Sequence, residues 1–556
     1  MEAPTNNKNI GIVSAGAMGV SLMMGSGIFS TPASILRLVG SPAMALVLWA
    51  LGAVISFGGA AAFIELGLMF RQNGGTMRFL AHAYPRPRVV LAYLFAWSMI
   101  VCIRPGAIAA NGPVVGKYWL YAAGVSDAGW RARGIGFGCI TLVTAVNVLS
   151  AKWSLRIINV LTGVKILVLL CIVVAGIVAA TGAIGIPKTS NWSHGFQGTS
   201  GDAHAYSSAL TKVFWAYDGF TNLVYSLGEL RRPERNLPWA VGGSVAIVGL
   251  LYVLANVAFF IVVPLDVAIG SEEILAAEFT NRVFGRFVGR VALPVFIGLS
   301  VFGAICAQTY GVARLLDSAN AVGFVPMGRF FCGNHPRLQT PVASLVIMYV
   351  LTLVYLMAPP PGRVFDLLVD FVQWSTWLFY GLAAAGAIVL RYTMPACPLR
   401  TFRSFHPLNL LFIAFCAYIT VFPFVPPQKK DDGPYPFYLS PLLGLITTLA
   451  GLVPWYFRMV WWPRKTGVDM VAWTRLDHAV SAPAIRYSLD QLGEETDQQL
   501  AGTQNAIDKH EKEDMVGGSG SNGSGSGSGS TRNSRNNSYE LPPLERCQSI
   551  QLPTYM

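Results

Sequence analysis

Hydrophobic positions run along this chain in long, nearly uninterrupted stretches, and the polar positions collect in short connections between them. A membrane-spanning helix needs roughly 20 predominantly apolar residues. On that measure the chain has candidate spans at 10–36, 42–69, 89–115, 134–150, 156–182, 205–229, 238–263, 289–318, 341–358, 365–390, 408–425 and 438–461. The pattern predicts an all-α polytopic membrane protein with twelve transmembrane helices, and an even number places both termini on one side. The stretch at 134–150 is short, and that at 289–318 is long enough to tilt or project. Three segments follow: an N-terminus at 1–9, a twelve-helix domain at 10–462 and a tail at 463–556. Within the tail, residues 517–530 are only Gly, Ser and Asn, a composition that buries too little apolar surface to offset the entropy of ordering it. The tail is therefore expected to be disordered.

Two of the twelve stretches are interrupted. Gly25-Ser26-Gly27-Ile28-Phe29 breaks the first near its middle, and Trp215-Ala216-Tyr217-Asp218-Gly219-Phe220 breaks the sixth. Unwound backbone at membrane depth is tolerated only where substrate, water or protein satisfies it. Matched interruptions in corresponding spans of two halves are the sequence sign of an inverted-repeat transporter. Free N–H groups where the second half-helix begins suit a carboxylate, and carbonyls ending the first half suit an ammonium. Together the breaks predict a site for the head group of an α-amino acid. A side chain at position 27 would be expected to fill the carboxylate position. The competing reading is that the glycines only let helices pack closely, as at small-xxx-small interfaces.

Composition strengthens the membrane assignment. Charged residues make up 12% of the 556 positions, against the ~25% typical of soluble domains. Mean hydropathy is +0.50. The net charge of +12 does not point to nucleic acid, because the basic residues sit mainly at the edges of apolar runs. Arg71, Arg78, Arg86, Arg88, Arg231, Arg232 and Arg235 fall in connections on the side of the N-terminus, so both termini are expected to be cytoplasmic. Asn191-Trp192-Ser193, in a connection on the opposite side, is an acceptor pattern for glycosylation. The eight cysteines show no C-x-x-C spacing, and most lie within apolar runs, which predicts buried thiols and no metal site. No short apolar leader with a cleavage site opens the chain, so the first helix is expected to direct insertion.

Ionisable residues inside spans are functional candidates by default. Lys165 lies near the middle of span five, and Asp218 lies in the sixth-span break. Asp218 would pair with a substrate amine, hold a coupling proton or select a more cationic substrate; in the competing reading it points into a wet vestibule. Glu65 is expected to pair with a loop arginine. Arg104 is expected to answer helix-end carbonyls near Pro105. Asp366 and Asp370 are expected to serve the helix N-terminus that they begin.

Several of these motifs are familiar. Gly25-Ser26-Gly27-Ile28-Phe29 resembles the first-helix signature of the amino acid–polyamine–organocation superfamily, and Phe63-Ile64-Glu65-Leu66-Gly67 with Asn73-Gly74-Gly75 resembles its second-helix signature. Gly228-Glu229-Leu230 with Arg232-Pro233 and Arg235-Asn236-Leu237-Pro238 is similar to the sixth-helix exit of the L-type amino acid transporters, as Arg104-Pro105 is to their third helix. Val262-Val263-Pro264-Leu265-Asp266 with Ile274-Leu275-Ala276-Ala277, Ala358-Pro359-Pro360-Pro361-Gly362, and Pro423-Phe424-Val425-Pro426-Pro427 resemble fungal high-affinity methionine permeases.

The resemblance implies a LeuT-like five-plus-five inverted repeat with helices 1 and 6 broken around substrate. The N–H groups of Ser26, Gly27 and Ile28, beside Gly25, would meet the carboxylate. Carbonyls at Met23, Met24, Trp215 and Asp218, beside Ala216, would meet the ammonium. Trp215 would be the aromatic gate. Lys165 aligns with a lysine that stands, in sodium-independent relatives, where sodium-coupled ones hold a cation; as a coupling or structural cation it would bond the broken first helix. The implied activity is import of neutral, methionine-like amino acids across the plasma membrane with protons. An exchanger, a nutrient receptor using the same site and a permease for cationic amino acids or amines are the alternatives. Expected partners are the substrate, protons and the lipid bilayer, and no cofactor. A disulfide-linked heavy chain is not expected, since residues 116–133 lack cysteine. Lys509, Lys512, Ser538 and Ser549 make the tail a candidate contact for trafficking or ubiquitin-ligase adaptors. No nucleotide-binding loop and no nucleophile–base constellation point to an enzyme.

Overall fold

The computed structural model describes residues 11–466 apart from 72–73, 126–128, 184, 186–188, 194, 226, 322, 326–334, 336–337, 339, 360–363, 396–399 and 429–435. The expected N-terminal segment at 1–9 and the tail beyond 466 lie outside the described residues. Every regular element among the described residues is helical. In chain order they include α1 (Ile12–Met23), α2 (Gly27–Ser30), α3 (Pro32–Val39), α4 (Pro42–Phe70) and α5 (Gly75–Ala83). The long helix α6 (Val90–Ala122) precedes α7 (Gly129–Leu149), α8 (Ala151–Thr181), α9 (Ala203–Tyr217), α10 (Asn222–Tyr225) and α11 (Pro233–Val262). The second half holds α12 (Leu275–Phe287), α13 (Leu293–Ala321), α14 (Val342–Met357), α15 (Val364–Thr393) and α16 (His406–Val421). A last helix, α17 (Leu439–Lys465), continues past the expected limit at 462.

Among the described residues nine helices are long and apolar enough to cross a membrane, and a first-helix pair bent by 55° makes a tenth. The stretch at 203–225 is divided into α9 and α10, and α14 is shorter than the long spans. Local chemistry sets several ends. Pro42 and Pro233 open α4 and α11, where a missing N–H costs nothing. Asp202 caps α9 by accepting from the His204 N–H at 2.9 Å. Gly182, at φ 79°, closes α8 in the left-handed conformation.

Small residues bring the helices together. A Cβ on Gly116 would lie 2.6 Å from the Ala132 Cα, and one on Gly136 would lie 2.6 Å from the Gly112 carbonyl carbon. Gly112 and Gly116 on α6 thus face Ala132 and Gly136 on α7, each pair four residues apart, so the two backbones are in contact. The outside of the bundle is apolar. Val160, Leu167 and Val174, seven apart on α8, are 67%, 68% and 58% exposed. Such a face is untenable in water and natural in lipid. Cys102, Cys139, Cys306 and Cys416 are buried as free thiols.

The Asn191 side-chain nitrogen donates to the backbone carbonyls of Phe260 at 2.9 Å and Val263 at 2.8 Å. The side chain of this acceptor pattern thus ties its connection to the end of α11.

Candidate functional site

The two interruptions meet. α1 stops at Met23, the chain bends through Met24, Gly25 and Ser26, and α2 starts at Gly27. The Gly25 N–H turns back onto the Met23 carbonyl at 2.7 Å. The first N–H groups of any helix lack acceptors within it, so the start of α2 presents donors at the bend. On the other chain segment, α9 ends at Tyr217; Asp218 is extended and Gly219 has φ 134°. A Cβ on Gly27 would stand 2.4 Å from the Ala216 Cα, and one on Gly219 would stand 2.8 Å from the Met23 nitrogen. Both glycines therefore permit backbone contact between the breaks. This corrects the expectation for position 27: a side chain there strikes the Ala216 backbone before it can fill a ligand position.

A cleft opens beside this contact. Met23, Gly25, Ser26, Gly27, Trp215 and Asp218 line it, as expected. Met24, Ile28 and Ala216 do not; they are almost wholly buried in the packing behind it. Trp215 is 8% exposed and its Nε1 donates to the Ser26 Oγ at 3.2 Å, joining the two breaks across the cleft. Its ring stands edge-on to Phe365 at 6.2 Å. The Tyr252 hydroxyl lies 2.6 Å from the Met23 carbonyl and 3.3 Å from that of Ala216. With one proton to give, it serves one carbonyl at a time, and the Met23 carbonyl also accepts the Gly25 N–H.

Asp218 lines the cleft and is tied into a network there. Its Oδ1 accepts from the Tyr380 hydroxyl at 3.3 Å, and that hydroxyl lies 2.8 Å from the Thr221 Oγ1. Arg104 also lines the cleft, and its Nη2 donates to the Asn222 Oδ1 at 3.1 Å. Its expected service to carbonyls near Pro105 gives way to this cross-helix bond, because the side chain reaches toward α10.

Lys165 is 1% exposed and its Nζ donates to the Ser21 carbonyl at 3.0 Å, two residues before α1 ends. It stands behind the first break and does not line the cleft.

Ion pairs flank the site on the α9 side. Lys212, three residues before Trp215, approaches Asp370 at 3.0 Å and Asp366 at 3.3 Å, and Arg37 approaches Asp366 at 3.4 Å. Asp366 and Asp370 therefore bind cations from α9 and α3, where sequence reasoning assigned them only to their own helix end. Glu65, at a different place, takes Arg391 at 2.8 Å, with Arg400 at 3.7 Å and the Ser404 N–H at 2.9 Å. Its main partner is on α15, and the expected loop arginine is the more distant one.

Sequence reasoning missed Asn111, Asn222, Gln308 and Tyr380 as lining residues and Lys212 as an ion-pair partner. A signal existed for one set. Met99, Ile103, Ala107 and Asn111 recur every four residues, which places them along one side of α6, and all four line the cleft. Gln308 and Tyr380 are single polar positions in apolar spans, and nothing local assigns them to the site.

Similarity to known proteins points to one family. Residues 10–449 match the family model described as amino acid permease. The chain is 30% identical to the high-affinity methionine permease of Saccharomyces cerevisiae over 389 residues, covering 70% of this chain and 67% of that one. It is also 30% identical to the human cystine/glutamate transporter over 449 residues, 80% of this chain and 84% of that one. A third relative is the b(0,+)-type amino acid transporter 1 of Oryctolagus cuniculus, 30% identical over 69% of this chain and 76% of the relative.

Proposed function

Because the chain belongs to the amino acid permease family, we propose that it imports neutral L-amino acids, methionine among them, across the plasma membrane by proton-driven alternating access. In this reading the fold is a twelve-span, five-plus-five inverted repeat. The observation that carries the reading is the contact of two helix breaks around one polar cleft.

The substrate carboxylate meets the N–H groups of Ser26, Gly27 and Ile28, where the dipole of the restarting helix adds positive potential. The ammonium meets the backbone of the α9 break and the Asp218 carboxylate. At about 4 Å and an effective dielectric near 20 that attraction is ~4 kcal/mol before desolvation is subtracted. Trp215 forms the cover. For the far side to open, its bond to Ser26 and the Lys212 ion pairs must part. Lys165 holds α1 through the Ser21 carbonyl while the bend changes shape.

The test is radiolabelled amino acid uptake into proteoliposomes with and without an inward proton gradient. Gradient-stimulated uptake of neutral amino acids is expected. Uptake that needs internal amino acid and ignores the gradient would make the chain an exchanger. Asp218 in the cleft favours one second reading, a permease for cationic amino acids; dominant competition by lysine over neutral amino acids would establish it.

A further inference from the structure

Among the described residues, three residues that line the cleft each carry a buried polar atom without a hydrogen-bond partner: the Asn111 Oδ1, the Gln308 Oε1 and the Arg104 Nε. Asn111 is 1% exposed, and its amide nitrogen is committed to the Ala107 carbonyl at 2.9 Å, which leaves the oxygen as the unused half of the group. Arg104 spends its Nη2 on Asn222. A buried polar atom without a partner costs the full desolvation of that group, so a site that leaves three such atoms around one cavity is built to receive their complements.

We propose that the side chain accepted by this cleft ends in a carboxamide, so that glutamine or asparagine is the preferred substrate. The proposal rests on the amino acid permease reading above and narrows it. The unpartnered set consists of two acceptors and one donor. A carboxamide presents two N–H donors and one carbonyl acceptor, which matches that inventory in number and kind. The other side-chain classes match less of it. A thioether satisfies none of the three strongly. A carboxylate brings only acceptors toward the Asn111 and Gln308 oxygens. An ammonium supplies donors, yet leaves the Arg104 Nε unanswered and adds a positive charge beside a guanidinium. A group that displaces water from a polar site keeps its affinity only by reproducing the bonds that water makes, and of these side chains the amide does so most fully.

Proteoliposome uptake of labelled glutamine and labelled methionine tests the proposal, each competed by asparagine, leucine, glutamate and lysine. Wild-type protein is expected to favour glutamine over methionine by about tenfold or more, as sites built around polar groups do. Asn111→Leu and Gln308→Leu should each lower the glutamine-to-methionine uptake ratio about tenfold. Equal or better uptake of methionine by the wild type overturns the proposal and leaves the permease reading standing. A ratio unchanged in both variants overturns it as well. No flux of any amino acid overturns the permease reading itself, and this proposal with it. Thermal protection of the detergent-purified wild type by glutamine, and not by methionine, is the second measurement and depends on no variant; the reverse order of protection counts against the carboxamide.

Discussion

At the scale of single residues, the two glycines of the first break differ in what surrounds them. A Cβ on Gly27 would sit 2.4 Å from the Ala216 Cα, a distance no packing tolerates, whereas one on Gly25 would meet the Ala304 Cβ at an ordinary 3.7 Å. Gly27→Ala is therefore expected to destabilise the purified protein by roughly 1–3 kcal/mol, the usual range for overpacking, and to abolish uptake. Gly25→Ala should melt within about 1 kcal/mol of wild type, as changes that disturb no packing do. Thermal unfolding of both in one detergent checks the contrast, and equal melting of the two would remove the backbone-contact account. The break itself was legible in the sequence as Gly25 to Phe29. The reason for Gly27 was not, because the atoms it must clear belong to Ala216, far along the chain. Asp218 was legible as a charge in the sixth stretch, while its hydroxyl partner Tyr380 was not. Asp218→Asn should change the pH dependence of uptake or its substrate range; a variant with both unchanged would return Asp218 to a vestibule role.

At the scale of elements, the spans were readable because uninterrupted apolar length is a one-dimensional property. The predicted stretch at 205–229 does break at Asp218, and α4, α11 and α15 begin within a few residues of their expected starts. What periodicity could not supply was facing. α4 is apolar on every side, so no stripe distinguishes its lipid face from its packed one. The same blindness hid Lys212 on α9. It is 4% exposed on its side chain, between Asp366 and Asp370 on α15. Removing the lysine alone takes from Asp370 the cation that faces it, whereas Asp366 retains Arg37. Lys212→Met is expected to cost roughly 2 kcal/mol, between the values for exposed and buried pairs. Lys212→Met with Asp370→Leu should recover about half of that loss, because neither charge is then stranded. Melting temperatures of the two single variants and the double variant measure the coupling; strictly additive losses would mean that the pair holds nothing together.

At the scale of the whole molecule, an apolar outer face such as that of α8 surrounds an apolar core, and polar groups gather at one internal cleft. Lipid suits that outer face, and the cleft holds Asp218 and Arg104. Alternating access then requires the cleft to reach one membrane face at a time. Lys212 and its acidic partners lie before the sixth-stretch break, on the α9 side, and Asn222 follows it, near the arginines at 231, 232 and 235. The bond from Trp215 to Ser26 joins the two breaks and Asn222 lines the same cleft; in the proposed cycle the Lys212 side is closed and the Asn222 side open. The thiol of an Asn222→Cys variant should therefore react with a membrane-impermeant reagent from the face carrying those arginines and resist it from the other. The thiol of a Phe365→Cys variant, behind the Trp215 ring, should resist from both faces until substrate turnover opens its side. With the arginine-bearing face cytoplasmic, as the positive-inside bias of the sequence predicts, inside-out vesicles should label the Asn222→Cys variant at least about tenfold faster than right-side-out ones. A tenfold ratio of rates corresponds to ~1.4 kcal/mol between the two cleft states, a gap that substrate binding on one side can reverse. Saturating substrate with a proton gradient should narrow the rate difference. Equal labelling from both faces without substrate would show a pore rather than an alternating site, and would rule out the transport mechanism proposed for this fold.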